Sequence, residues 1–251
     1  MRRQLLDNPI ARTVLSAWVW IVIAVSLIVT TPIVAVSRLV TAPFDRGRYW
    51  TGWLFRKQAV VIQTLNPLWT FRTHGQAPAD MRNPYVVVSN HESFVDMFLI
   101  VHLPWEMKWL SKSEFFKIPF IGWQMRLAGD VKMVRGDAKS VVAAMQQCER
   151  WLARRVSVMI FPEGTRSASG TMGEFRDGAF RLAIDTRTPI LPLVVRGTRS
   201  ALRKHDWRFG VAEADVYVLD PIDTAGLTRD DVAALRDRVR GVIATRRAEL
   251  D

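Results

Sequence analysis

The sequence predicts an α/β domain with a central mixed, largely parallel sheet flanked by helices, carried behind an N-terminal membrane-anchoring helical segment. Three observations predict this. Residues 13–37 contain no charged side chain. From Tyr85 onward, short β-branched runs alternate with stretches of helical period, as in α/β proteins. Two of those runs end in polar turns, Asn90–Asp96 and Phe161–Ser167, placed where an α/β sheet carries its chemistry, beyond the carboxyl end of a strand. The division this implies is 1–71 for the anchoring region and 72–251 for the α/β domain.

As a helix, the uncharged run up to Thr31 spans roughly 28 Å, close to the hydrocarbon thickness of a bilayer. Arg2 and Arg3 make a basic start, as in a signal peptide, but the run is too long for a signal core and continues past Pro32 to Val40. Arg2, Arg3 and Arg12 precede it, and Arg38, Arg46, Arg48, Arg56 and Lys57 follow it. The positive-inside rule therefore puts both flanks on the cytoplasmic side, which a single span cannot satisfy. Alternatively, Pro32 breaks the run into a re-entrant or hairpin arrangement. Trp50, Trp53, Leu54, Val61 and Leu65 would then form an interfacial second helix on which Lys57 has to snorkel.

Residues 72–84, with Gly75, Pro78 and Pro84, read as a linker. Tyr85–Ser89 reads as a strand, followed by the His91 turn and a helix from Met97. After a strand at 131–135, Asp137 caps a helix whose Val141, Met145, Cys148 and Leu152 share one face. Arg154 and Arg155 close it at the favourable end of its dipole. A strand at 156–161, a helix near 177–186 and a strand at 190–195 follow. Arg199, Arg203, Lys204 and Arg208 with Trp207 make a basic stretch, and 212–218 alternates as a late strand. Thr228 and Asp231 form a capping-box pattern before a helix with the stripe Val232, Leu235, Val239, Val242 and Ile243.

A formal net charge of +11 calls for a polyanionic partner, either nucleic acid or an anionic membrane. Ten tryptophans on an apolar, arginine-rich background favour the bilayer interface, and no zinc-finger or RNP-like pattern supports nucleic acid. The single Cys148 forms no intramolecular disulfide and reads as a buried small hydrophobe. His74, His102 and His205 fit no ligand pattern, so no metal site is expected. Gly-x-Ser-x-Gly and P-loop signatures are both absent.

His91 and Asp96 lie five apart, which on a continuous helix would point them about 140° from each other. If His91 precedes the helix and Asp96 occupies its first turn, the carboxylate can reach the imidazole. It would fix the tautomer and leave the other ring nitrogen as a general base. The bland alternative is a capping Asp and a hydrogen-bonded turn His. Backbone N–H groups at the start of that helix are candidate oxyanion donors.

Asn90-His91-x4-Asp96 together with Phe161-Pro162-Glu163-Gly164-Thr165-Arg166-Ser167 resembles the glycerolipid acyltransferase family, most closely its 1-acylglycerol-3-phosphate acyltransferases. Lys112 with Ile118-Pro119-Phe120-Ile121-Gly122 and Val131–Arg135 is similar to the family's second block, and Pro189–Val194 to its fourth. The resemblance covers about residues 80–200. It implies that 72–251 is the catalytic domain, that an N-terminal helical pair anchors it, and that His91 and Asp96 are the catalytic pair. It further implies a substrate site at Lys112, Arg135, Glu163, Gly164, Thr165 and Arg166, with Arg166 leading on the acceptor phosphate. Glu163 would orient Arg166 or hold the loop, and Glu92 and Ser93 would be variable positions.

The implied reaction moves a fatty acyl group from acyl-CoA or acyl-carrier protein, as co-substrate, to a lysophospholipid acceptor. No cofactor is required, and the partner is a phospholipid membrane. A bacterial inner membrane, with the active site on its cytoplasmic face, is the expected location. Another lysophospholipid or glycolipid acceptor, or a non-catalytic membrane-surface protein, are the rival readings.

Overall fold

A computed structural model describes residues 8–166, 171–202 and 206–250. Arg2, Arg3, Ser167, Arg203, Lys204 and His205, singled out above, lie outside the described residues.

The chain opens with two antiparallel helices, α1 (Pro9–Thr41) and α2 (Tyr49–Thr64). Asn8 caps α1 by accepting from the Ile10 and Ala11 N–H groups. Pro32 does not break the helix, contrary to the hairpin reading placed there. Pro32 leaves the Ile28 carbonyl without its intrahelical donor, and one residue earlier the Leu27 carbonyl accepts from both Gln124 Nε2 (3.0 Å) and Thr31 Oγ1 (2.6 Å), which ties this stretch to the helix that carries Gln124. The chain reverses instead at 42–48, where Asp45 accepts the Trp50 N–H at 2.8 Å and caps α2.

Seven strands follow: β1 (Trp69–His74), β2 (Val86–Ser89), β3 (Met107–Lys112), β4 (Val131–Met133), β5 (Ser157–Ile160), β6 (Ile190–Arg196) and β7 (Ala212–Val218). Their order in the sheet is β1-β7-β6-β2-β5-β3-β4. All neighbours are parallel except β6 and β7. The sheet is thus mixed and largely parallel, as expected. Two readings change. β1 begins inside the predicted anchoring region and runs into the predicted linker, pairing with β7 from Trp69 to His74. Its polar half escapes a hydrophobic-run reading because β1 is an edge strand, with Arg72 beside Glu213 and His74 bonded to Asp215. β3 was also missed, because its Lys108 interrupts the apolar pattern although the strand is interior.

Both faces of the central strands are buried, which parallel sheets require. Val86, Val88, Val158 and Ile160 point into one core. That core is covered by α5 (Ala138–Ala153), α6 (Gly178–Thr186) and α7 (Val232–Ala248). Val87, Met159 and Leu191 point into the other, beneath α3 (Asp96–Ile100). The hairpin α1–α2 and α4 (Ile121–Ala128) complete that second layer through Val34, Phe55, Phe116 and Met125. Asp137 caps α5 through the Ser140 N–H, and the Thr228–Asp231 capping box is present before α7. Val141 and Val242 point outward instead of into the predicted stripes; Ala144 and Trp151 take the buried positions on α5. Cys148 is buried, and burial pushes its thiol up to about 12.

The α1–α2 hairpin is fastened to the sheet by buried charge. Arg56 of α2 forms a two-point ion pair with Asp130, whose Oδ1 also accepts the Trp109 N–H. Beside it, Lys108 Nζ reaches Glu106 at 3.0 Å and the Arg48 carbonyl at 2.8 Å, both side chains being fully buried. Burial pushes the Glu106 carboxyl up and the Lys108 ammonium down, each opposed by the other. Gly52 makes room on α2: a Cβ there would sit 2.0 Å from Glu106 Oε1. Removing one partner of such a buried group leaves an uncompensated charge. Asp130→Ala is therefore expected to cost about 3–5 kcal/mol in urea unfolding of the detergent-solubilised protein, and a paired apolar replacement, Arg56→Met with Asp130→Leu, distinctly less.

Candidate active site

Topology gathers the motifs. Strands β6, β2, β5, β3 and β4 are adjacent and parallel, so their carboxyl ends share one edge of the sheet. From that edge project, in the same spatial order, Thr198, His91, Glu163–Arg166, Lys112 and Arg135.

Asn90 turns the chain out of β2. Its side chain imitates a strand residue, accepting the Val195 N–H and donating to the Val195 carbonyl, both at 2.8 Å. His91 thus leaves the sheet from a braced position. α3 begins at Asp96, so the imidazole lies before the helix and the carboxylate in its first turn; Nδ1 and Asp96 Oδ2 are 2.8 Å apart. That oxygen also accepts the Glu92 and Ser93 N–H groups at 2.7 and 3.0 Å, while Oδ1 accepts the buried Thr198 hydroxyl. The Glu92 and Ser93 N–H groups, in the turn before the helix, are therefore committed to Asp96. Phe161 stacks on the His91 ring at 4.0 Å between centroids and 19° between planes, fixing the plane of the imidazole. The remaining ring nitrogen, Nε2, has no hydrogen-bond partner among the described residues, and His91 lines an open cleft of about 310 Å³.

Lys112, Arg135, Gly164, Thr165 and Arg166 line the same cleft. Lys112 is 3.5 Å from Glu114, and burial together with Arg176 lowers the Arg135 guanidinium. Arg176 was not singled out in the sequence. Its Nε would lie 3.0 Å from a Cβ on Gly164, whose φ of +70° also favours glycine, so it places a further cation against the turn. Glu163 differs from the rest of the predicted substrate set. It is buried and points inward, Oε1 accepting the His91 N–H at 2.7 Å and Oε2 the Gly173 N–H at 2.8 Å. A carboxylate committed to two backbone donors holds the turns after β2 and β5 together instead of facing a ligand.

Glu92, read as a variable position, is nearly buried and accepts from Arg247 Nη2 of α7 at 3.0 Å. Burial raises its carboxyl to about 7, with Asp96 adding to the rise and Arg247 opposing it. Neither Arg247 nor Thr198 carries a local sequence signal, because each comes from far along the chain. His74 and His102 stand apart, bonded to Asp215 and to the Phe98 carbonyl, and no group of metal-ligating side chains exists among the described residues.

A second, apolar chamber of about 110 Å³ lies between the hairpin and the sheet, lined by Ile23, Leu27, Ala59 and Ile62 among others. It shares Phe94, Met97, Trp109 and Phe115 with the His91 cleft. A basic, histidine-bearing cleft thus adjoins an apolar one.

The family model described as Acyltransferase matches residues 70–196, about half of the chain and all of this sheet edge up to Arg196. The chain belongs to the Acyltransferase family. It is similar to human 1-acyl-sn-glycerol-3-phosphate acyltransferase alpha, 40% identical over 166 residues, covering 64% of this chain and 58% of that protein. Over 115 residues it is 42% identical to the Brassica napus chloroplastic 1-acyl-sn-glycerol-3-phosphate acyltransferase BAT2, covering 46% of this chain and 33% of that protein. The matches therefore span only part of these relatives' length. Its fold is similar to the crystal structure of PlsC, the 1-acyl-sn-glycerophosphate acyltransferase from Thermotoga maritima, with a TM-score of 0.81 at 23% identity over 96% of this chain and 97% of that one.

A carboxyl group raised by burial favours the folded state at low pH and loses that contribution as pH rises. Between about pH 4.5 and 7, the wild type is accordingly expected to lose stability relative to Glu92→Gln, by on the order of 1–3 kcal/mol, in thermal unfolding measured across that range.

Proposed function

We propose that the chain is a membrane-associated 1-acylglycerol-3-phosphate acyltransferase, forming phosphatidic acid from an acyl thioester and the free hydroxyl of the lysolipid. One observation carries this reading: the free Nε2 of a carboxylate-bound histidine opens into a cleft that has cations on one side and an apolar chamber on the other. The names of the relatives support the same acceptor.

His91 Nε2 takes the proton from the acceptor hydroxyl as its oxygen attacks the thioester carbonyl. Asp96 holds the tautomer and stabilises the imidazolium. Collapse of the tetrahedral intermediate breaks the C–S bond. A thiolate, whose conjugate thiol has a pKa near 8.5, leaves readily and recovers the proton from the imidazolium. Arg166, Lys112, Arg135 and Arg176 face the acceptor phosphate, Arg supplying the fork geometry suited to it. The apolar chamber takes an acyl chain. Thr165 forms the rim, and no cofactor enters these steps. Acyl-CoA and acyl-carrier protein both satisfy the chemistry as donors.

The hairpin seats this site on the membrane. α1 is long and apolar enough to cross a bilayer by length and composition. However, it packs on the α/β domain near both ends, Val19 in one cluster with Trp69 and Phe209, Val34 in another with Phe116 and Met125. A helix bound to its domain in this way lies in one leaflet, with Ile21, Val25, Ile28 and the α2 residues Trp50 and Trp53 exposed to lipid. Both basic flanks then stay on one side, the cytoplasmic face, as the charge distribution demands.

His91→Ala is expected to lower thioester-dependent turnover by about 10²- to 10⁴-fold without unfolding the protein, read as thiol release with 1-acylglycerol 3-phosphate. Unchanged release would remove the mechanism. Arg166→Ala should chiefly raise the KM for that acceptor and leave the KM for an acceptor without a phosphomonoester unchanged. Thr198→Val, which deletes one hydrogen bond to a charged oxygen, is expected to cost roughly tenfold in kcat, with Thr198→Ser restoring most of it.

A further inference from the structure

The turn between α1 and α2 gathers arginines that the acyl-transfer site does not use. Residues 8–66 carry six cations, Arg12, Arg38, Arg46, Arg48, Arg56 and Lys57, against the single carboxylate of Asp45. Arg12 and Arg56 are paired with Asp206 and Asp130. Lys57 binds the Val101 and Leu103 carbonyls. Arg38, Arg46 and Arg48 remain, and the end of α5 brings Arg154 to them.

Trp151 is the centre of this nest. Its indole lies under Arg154 at 5.1 Å, Arg48 at 5.8 Å and, from the buried side, Lys108 at 5.6 Å. Arg154 Nη1 donates to the Arg46 carbonyl at 3.2 Å and Arg48 Nη1 to the Arg126 carbonyl at 2.8 Å, so the guanidinium groups are held in place by backbone oxygens. Among the described residues none of the four arginines is in an ion pair. Arg38 Nη1 is buried and has no hydrogen-bond partner among the described residues. Asp45, the nearest carboxylate in sequence, is already committed to the Trp50 N–H, and neighbouring Arg155 is paired with Asp80. Burial lowers the Arg48 guanidinium, with Arg38 and Arg154 adding to the effect, as expected where like charges crowd without an anion between them.

We propose that Arg38, Arg48 and Arg154 form a binding site for the phosphate of an anionic phospholipid headgroup, distinct from the acceptor site. Arg46 and Arg154 lie at the amino-terminal end of β5, on the opposite edge of the sheet from His91. This assignment rests on the membrane association proposed above. The source of the phosphate follows from what surrounds the nest. It sits where the apolar run of α1 ends, beside Phe44 and Trp50, which are 70% and 54% exposed. Cations at the end of an apolar helix, flanked by exposed aromatic rings, meet a bilayer at headgroup depth, where guanidinium forks pair with phosphate. The neutral and anionic lipids of a mixed bilayer would thereby be distinguished at one end of the hairpin, fixing the protein's orientation on the surface.

Flotation of the full chain with vesicles tests this, comparing phosphatidylcholine alone with phosphatidylcholine containing phosphatidylglycerol. The nest variant is Arg38→Gln with Arg154→Gln. A charge-matched control is Arg229→Gln with Arg246→Gln, two arginines on other parts of the domain. The wild type and control are expected to prefer the anionic vesicles, and the nest variant to lose roughly tenfold in that preference, while all three bind neutral vesicles alike. Equal losses in the two variants would overturn the site and leave only net charge. Failure of the wild type to bind either vesicle would instead overturn the membrane reading. A rise in melting temperature with inorganic phosphate that the nest variant lacks, without any vesicle preference in the wild type, would make this a soluble-anion site and overturn the assignment to lipid.

Discussion

The site depends on a single buried carboxylate. Asp96 accepts from the His91 ring, two backbone N–H groups and the Thr198 hydroxyl, so its charge is met by four donors although it is removed from solvent. Those donors come from two places, the turn after β2 and the segment after β6, and the carboxylate itself from the first turn of α3. Satisfying the carboxylate therefore requires all three to be in register. Glu163 acts alongside it, tying the backbone of His91 to the loop that follows β5. Two buried carboxylates thus hold the imidazole that lines the cleft.

The parallel sheet makes this economical. Because β2, β3, β4, β5 and β6 run in the same direction, each crossover returns a motif to the same edge. Residues separated by more than 100 positions meet there, as Asn90 and Val195 do. The cations of the cleft come from the β3, β4 and β5 ends, while its histidine comes from β2. In the proposed reaction, charge recognition and proton transfer therefore sit side by side, on separate strands, and one can vary without displacing the other.

Much of this was legible in the sequence where the signal is local. The His91 turn, the α5 cap at Asp137 and the Thr228–Asp231 box each depend on residues within a few positions of one another. The acyltransferase motifs were readable as blocks, and the two most specific, at His91 and at Glu163–Arg166, each lie on a single turn. What escaped depends on distant partners. Glu163 reads as orienting Arg166 or holding its own loop, and nothing nearby indicates that the distant His91 N–H waits for it. Thr198, Arg176 and Arg247 acquire meaning only once the strands are ordered. β3 was hidden because Lys108 breaks its pattern, and that lysine is tolerated only because Glu106 and the Arg48 carbonyl reach it.

The same buried lysine decides how separable the hairpin is. Its ammonium is answered in part by a carbonyl from the α1–α2 junction, Asp130 is answered by Arg56, and Gly52 leaves the space in which Glu106 sits. Cutting the chain after Leu65 would strand these charges in a new apolar surface and unroof the chamber beside His91. The hairpin is thus a wall of that chamber as well as a part of the fold. A shortened, freely soluble catalytic fragment is not a form that this architecture offers, and exchange of hairpins between relatives would have to carry the partners of Lys108 and Asp130 along with it.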